Sequence, residues 1–296
     1  MSTTGLATRV AGKGSGGPQP LAEAAAAVKV ALIDNGSLAA EPHQLLRRVA
    51  AEISRRTGIG VAAVSWKHSD RAALPDASVP SVLKTWVPAQ VAAGAREFLF
   101  VPFFISPQGA IAGALRSDLD ALGATYRFTA GLTPPLLGRI VAERVHDVIQ
   151  AQGLPSATVV VVDHGGPSPF SGAVRDETVA IAAQLLGSRA AGVAAASMET
   201  PDPADPAFAH NRPLLADALP ALAARSAEAA SPLIIAPLFL APGRHAGPDG
   251  DLARIAAAAA PGRRLFFTEL AGAHPLVPAA LAAALTPHIP VLTALP

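Results

Sequence analysis

Apolar positions recur along the chain in two rhythms. Short β-branched or aromatic runs, the signature of buried strands, lie at 28–34 (VKVALID), 61–66, 98–105 (FLFVPFFI), 126–129, 158–163, 193–197, 233–240 (LIIAPLFL) and 265–268. Between them the apolar residues take helical spacing, most clearly at Leu45, Leu46, Val49, Ala50 and Ile53 within 41–57. Further helices are predicted over 114–122, 135–150, 173–186, 212–229, 251–260 and 276–285, and over 82–95, where Pro88 must kink or divide the segment. Strands alternating with helices predict an α/β chain with a small, mostly parallel sheet in each half. The run at 158–171, TVVVVDHGGPSPFS, is the sharpest instance: Val159 to Val162 are all valine, and the pattern breaks at Asp163-His164-Gly165-Gly166-Pro167. A wholly apolar strand belongs inside a parallel sheet, and ligands of open α/β sheets gather at the carboxyl ends of such strands.

The halves match at their loops, which indicates an internal duplication. VPFFISPQGA at 101–110 lies against APLFLAPGRH at 236–245, and LIDNGS at 32–37 against VVDHGG at 161–166. AVSWK at 63–67 lies against AASME at 195–199, and FTAGLTPPL at 128–136 against FTELAGAHPL at 267–276 with one residue inserted. Where the second half has His164, Glu199, His245 and His274, the first has Asn35, Lys67, Ala110 and Pro134. The fold is written twice and the titratable set once. The expected organisation is a flexible Gly/Ser/Thr/Pro-rich tail at 1–24, a lobe lacking the histidines at 25–152 and a lobe carrying them at 153–296.

Composition then narrows the chemistry. The core of this 296-residue chain must be built from Ala, Val, Leu and Ile, since 51% of residues are hydrophobic and only 4% aromatic. A net charge of +1 offers no field for nucleic acid or a membrane surface. The absence of cysteine excludes disulfides, thiolate metal sites and a cysteine nucleophile, and leaves any metal to His, Asp and Glu. Neither a signal segment nor a membrane-spanning run is evident, so a cytoplasmic protein, monomer or homodimer, is expected. A G-x-G-x-x-G occurs at 12–17, but in the tail with no strand before it; no P-loop and no G-x-S-x-G elbow occur.

His164, Glu199 and His245 each follow a predicted strand at one end of one sheet. Two imidazoles and a carboxylate suit a borderline divalent metal with positions left open, and equally suit proton acceptance near neutral pH. His274, before a proline and a helix, is either a site residue or a brace for its loop. His210, in a Pro- and Asp-rich loop, is a ligand contact or a solvated residue. His43 and His146 fall on amphipathic helices and are expected at the surface, and His68 and His288 carry no pattern. Arg244, Arg212 and Arg175 are candidates for meeting ligand carboxylates, because guanidinium pairs with them bidentately.

DHGGPSP, the SME segment, PLFLAPGRHAGPDGDL and GAHPL together resemble the class II chelatases, specifically the sirohydrochlorin cobalto- and ferrochelatases. The likeness covers the second half well and the first as a degenerate repeat. It implies two similar lobes around a cleft, with a divalent metal (Co²⁺ or Fe²⁺) inserted into sirohydrochlorin without ATP and no cofactor held permanently. By the same likeness His164 and His245 bind metal and accept pyrrole protons, with Glu199 assisting. Arg244, Arg212 and Lys67 are candidates for the carboxylates of the tetrapyrrole, and His274 for contact with it. Gly-Pro-Ser-Pro replaces the family's polar run after His-Gly, and the first lobe's lack of histidines implies one site per chain. A non-catalytic tetrapyrrole or metal carrier is the alternative from another class; a metal-dependent hydrolase would hold zinc tightly.

Overall fold

The computed structural model describes residues 28–72, 74–225, 232–247 and 249–294. The tail with its glycine motif, and the end of the helix expected over 212–229, lie outside them. In chain order the first lobe comprises β1 (Val28–Asp34), α1 (Ala40–Thr57), β2 (Val61–Ser65), α2 (Leu83–Ala92) and β3 (Glu97–Pro102). It continues with α3 (Pro107–Ala112), α4 (Ala114–Ala121), β4 (Tyr126–Phe128) and α5 (Pro134–Ala151). The second lobe has β5 (Ala157–Asp163), α6 (Pro169–Leu186), β6 (Ala190–Ser197), α7 (Leu215–Arg225) and β7 (Leu233–Pro237). It closes with α8 (Asp251–Ala259), β8 (Leu265–Phe267), α9 (Leu276–Leu285) and a short α10 (Ile289–Ala294).

The two sheets are parallel throughout and share one strand order, β2-β1-β3-β4 and β6-β5-β7-β8. Repetition extends to single bonds. Ser65 and Ser197 each form an isolated bridge to the chain before the next helix, at Val82 and Leu214. The amides of Trp66 and Met198 both donate to an aspartate carbonyl at 2.8 Å, Asp34 in one lobe and Asp163 in the other. The duplication read from the loops is therefore a duplication of backbone geometry.

Two prolines shorten strands that hydropathy alone extends. β3 stops at Pro102 and β7 at Pro237, where the ladder loses its N–H donor. Pro169 does the opposite: it sits in the first turn of α6, where no N–H is needed, and the helix starts earlier than apolar spacing shows. Pro88 neither breaks nor divides α2, which runs through it as Pro220 is run through by α7.

Strand residues alternate between two cores. Val159 and Val161 of β5 face a central cluster that also holds Val30 and Leu32 of β1, Leu46 and Ile53 of α1, Ile140 of α5, Ala182 of α6 and Leu281 of α9. Val160 and Val162 face an outer core with Leu215 and Leu219 of α7 and Leu252 of α8. The first lobe has its own outer core, where Ala31 and Ile33 meet Leu83, Val87, Leu115 and Leu119. Each of these buried Val or Leu side chains contributes about 1.5–3 kcal/mol. The central layer is made by exchange. The last long helix of each lobe lies against the first helix of the other, α5 on α6 and α9 on α1.

One expectation for α1 is wrong. His43 is not at the surface: it is 2% exposed, with Nε2 2.8 Å from the Ser37 carbonyl. The ring lies within its own lobe, against the loop that follows β1. His146 is half-buried, its Nε2 2.8 Å from the Gln150 amide nitrogen.

Candidate functional site

At the carboxyl end of β5 the chain must turn across the end of β6, and Gly165 makes the crossing possible. Its φ is +78°, and a Cβ there would lie 1.9 Å from the Glu199 carbonyl oxygen. The Glu199 amide donates to the His164 carbonyl at 3.1 Å, so the two residues are tied by backbone before their side chains meet. Glu199 Oε1 then stands 3.5 Å from His164 Nε2. The third residue arrives from the loop after β7, which folds onto the start of α8 through the Leu252 amide and the His245 carbonyl, 3.1 Å apart.

The rings of His164 and His245 meet edge to face, 4.8 Å between centroids at 85°. Their outer hydrogen bonds fix how each is presented. His164 Nδ1 lies 2.8 Å from the Gly165 carbonyl, an acceptor only, so Nδ1 carries the proton and Nε2 is left as the free nitrogen. His245 Nδ1 lies 2.8 Å from Asp251 Oδ2, with the same consequence. A carbonyl or carboxylate behind one nitrogen and a free lone pair on the other is the arrangement of metal-ligating imidazoles. Among the described residues no three His, Asp or Glu side chains already converge on one metal position. What they form is an open donor set.

The three residues line an open cavity of about 580 Å³. Arg244, Arg254 and Asp251 form its charged wall, and Met198 and Ile255 an apolar one. Desolvation pushes the Asp251 carboxyl upward, but the His245 hydrogen bond and the charges of Arg254 and Arg244 outweigh it and hold the group below its usual range. Asp251 and Arg254 were not singled out from sequence. The available signal was an acidic residue opening a helix just after the histidine loop, a common helix start that says nothing of a partner.

Other expected residues lie elsewhere. His274 is 5% exposed, with Nε2 3.1 Å from Glu143 Oε2 of the opposite lobe's α5. Burial, and then Arg144, hold its pKa below the ordinary value, against the pull of Glu143. It braces its loop between lobes and does not line the histidine cavity. Arg212 also stays out of that cavity, bonded to Asp217 and to the Pro203 carbonyl at 3.2 Å each. His210 turns its Nε2 to the Gly166 carbonyl at 2.9 Å, behind the site. Arg175, expected to meet ligand carboxylates, is not available to a ligand: it is 2% exposed and ion-paired inside the lobe.

The corresponding place in the first lobe is a cavity of about 410 Å³ lined by Trp66, Lys67, His68, Lys84 and Asp118 among others. Gly36 repeats the crossing, with φ +88° and a Cβ position 1.8 Å from the Lys67 carbonyl. Trp66, standing where Met198 does, donates its indole N–H to Asp118 at 2.7 Å. The Lys67 ammonium lies 3.8 Å from the Trp66 ring. The frame is kept, but Asn35, Lys67 and Ala110 stand in the places of His164, Glu199 and His245.

Residues 158–287 match the CbiX family model. No curated protein matches the sequence significantly. Among solved structures, SirB from Bacillus subtilis with Fe³⁺ is 13% identical, with a TM-score of 0.57, over 87% of this chain and 94% of that one. CbiX, described as the terminal enzyme for biosynthesis of siroheme in denitrifying bacteria, is 20% identical, with a TM-score of 0.58, over 88% and 98%. The sirohydrochlorin chelatase SirB from Bacillus subtilis subspecies spizizenii in complex with cobalt is 14% identical, with a TM-score of 0.53, over 87% and 93%. At these identities the shared property is the fold: two four-stranded parallel sheets flanked by helices.

Proposed function

We propose, from the premise that the C-terminal lobe is a CbiX-family domain within a class II chelatase fold, that this chain inserts a divalent metal into sirohydrochlorin. The observation that carries the proposal is the pairing of His164 and His245, each with Nδ1 engaged and Nε2 free, beside Glu199. Metal entry releases two pyrrole protons, so the site must hold a cation loosely and accept protons next to it. Neutral imidazole does both, whereas a closed thiolate set would keep the metal.

In this reading the metal, Co²⁺ or Fe²⁺, is a substrate and would be held through the two Nε2 atoms. Glu199 takes one proton, and an Nε2 takes the other once the departing metal has released its lone pair. The Asp251 carboxylate keeps His245 oriented and its lone pair basic. Arg244, 84% exposed by side chain, stands at the cavity mouth where a carboxylate of the macrocycle would arrive. No ATP is required, and the product belongs to sirohaem or cobalamin synthesis.

Mixing the purified protein with sirohydrochlorin and Co²⁺ or Fe²⁺ tests this. The expected result is an absorbance change faster than the uncatalysed control, lost in His164→Ala and in His245→Ala while circular dichroism is unchanged. Wild-type rates in both variants would overturn the assignment. A shift on binding without any acceleration would instead identify a carrier.

A further inference from the structure

Arg175 has no place in the reaction just described, yet it is the largest fully buried side chain among the described residues. It lies in the second turn of α6 and uses its whole fork. Nη1 donates to Ser197 Oγ at 2.5 Å, and Ser197 Oγ donates to Asp163 Oδ1 at 2.5 Å. Nη2 donates to the His210 carbonyl at 3.0 Å, and Nε to Asp176 Oδ1 at 2.9 Å. Asp163 immediately precedes His164, and Ser197 is two residues before Glu199. The His210 carbonyl opens onto Asn211, whose side-chain oxygen accepts from the Gly166 amide and whose side-chain nitrogen donates to the Gly166 carbonyl, both at 3.0 Å. One side chain thus joins the ends of β5 and β6 and the loop that clamps the His164 turn.

The first lobe shows what the fold needs without it. Asp34, Asn35, Gly36 and Leu46 stand in the same order and at the same separations as Asp163, His164, Gly165 and Arg175. Asp34 is paired across the sheet with Ser65 as Asp163 is with Ser197. The helix position is Leu46, also 2% exposed, and the sheet, the bridge and the glycine crossing form all the same. Asp, Ser and Gly are therefore compatible with an apolar neighbour. The guanidinium occurs only in the lobe that carries the histidine and the glutamate.

We infer that Arg175 is a positioning residue for the metal and proton site, holding His164 and Glu199 at their working separation by fixing the strand ends behind them. The inference rests on the proposed chelatase reading. Arg175→Leu reproduces the first lobe's own arrangement, so a folded protein is expected. Should the unpaired Asp163 unfold it, Arg175→Leu with Asp163→Asn removes both charges together. In the full-length protein, Co²⁺ titration followed by visible d–d absorption should show His164-dependent binding in the wild type. That affinity should weaken by about 10–100-fold in the folded variant, as losses behind metal ligands do. In the chelation assay kcat should fall while KM for sirohydrochlorin stays unchanged. Wild-type Co²⁺ affinity and spectrum in the folded variant overturn the inference and leave the chelatase reading standing. Absence of His164-dependent Co²⁺ binding in the wild type overturns both.

Discussion

Single residues in this protein are best understood through their counterparts. Asp34 keeps the first-lobe place of Asp163 but has no arginine, and its Oδ1 is buried without a hydrogen-bond partner. Burial raises its pKa from 3.8 to about 6, against the pull of Ser65 and His43. The folded state thus prefers the protonated acid. That preference stabilises the fold fully below about pH 4 and is lost as the pH climbs through 6. The loss is at most about 3 kcal/mol, because part of the residue still meets solvent. Asp34→Asn should therefore flatten the fall in melting temperature between pH 4 and 7 relative to wild type, and an unchanged slope would rule the explanation out. Asp251→Ala tests the other lobe: with His245 unsupported, Co²⁺ affinity should drop about 10–100-fold in the same titration.

At the level of elements, much was legible because strands and helices are written in local periodicity. The four valines before His164 and the apolar run before Arg244-His245 mark the two strands that deliver the site, and both form, the second ending three residues early at Pro237. The pairing of β5 with β6 and β7, which brings Glu199 and His245 alongside, is seen in the register. What could not be read were contacts between parts of the chain distant in sequence. His274 meets Glu143 of the opposite lobe's α5, and Arg175 meets Ser197 and the His210 carbonyl within its own lobe; one helix's periodicity reveals neither. The strand-end crossings yield a paired prediction. Gly36→Ala and Gly165→Ala each face a positive φ, worth about 1–2 kcal/mol alone, plus a clash with a carbonyl oxygen. Both should lower the denaturation midpoint. In whichever variants remain folded, only Gly165→Ala should reduce chelation, because only its neighbour is Glu199.

Considered whole, the molecule is not two beads on a string. The central cluster draws on both sheets and on α1, α5, α6 and α9. A second lobe expressed alone as 153–296 would lose the α5 surface beneath α6 and the α1 surface beneath α9. It should unfold at lower denaturant than the full chain or pair with a second copy of itself. Chemical denaturation with size-exclusion chromatography distinguishes these outcomes from an independently stable monomer, which would contradict the shared core. No helix among the described residues is long and apolar enough to cross a membrane.

The reciprocal helix exchange has one more consequence. It is the contact pattern of a twofold dimer, in which every substitution must appear on both sides of the axis. Joining the copies in one chain lifts that constraint. Lys67 and Glu199 occupy matching positions with opposite charge, a difference no symmetric pair of identical subunits could hold. The linked chain can therefore present opposite charges at equivalent places in its two lobes.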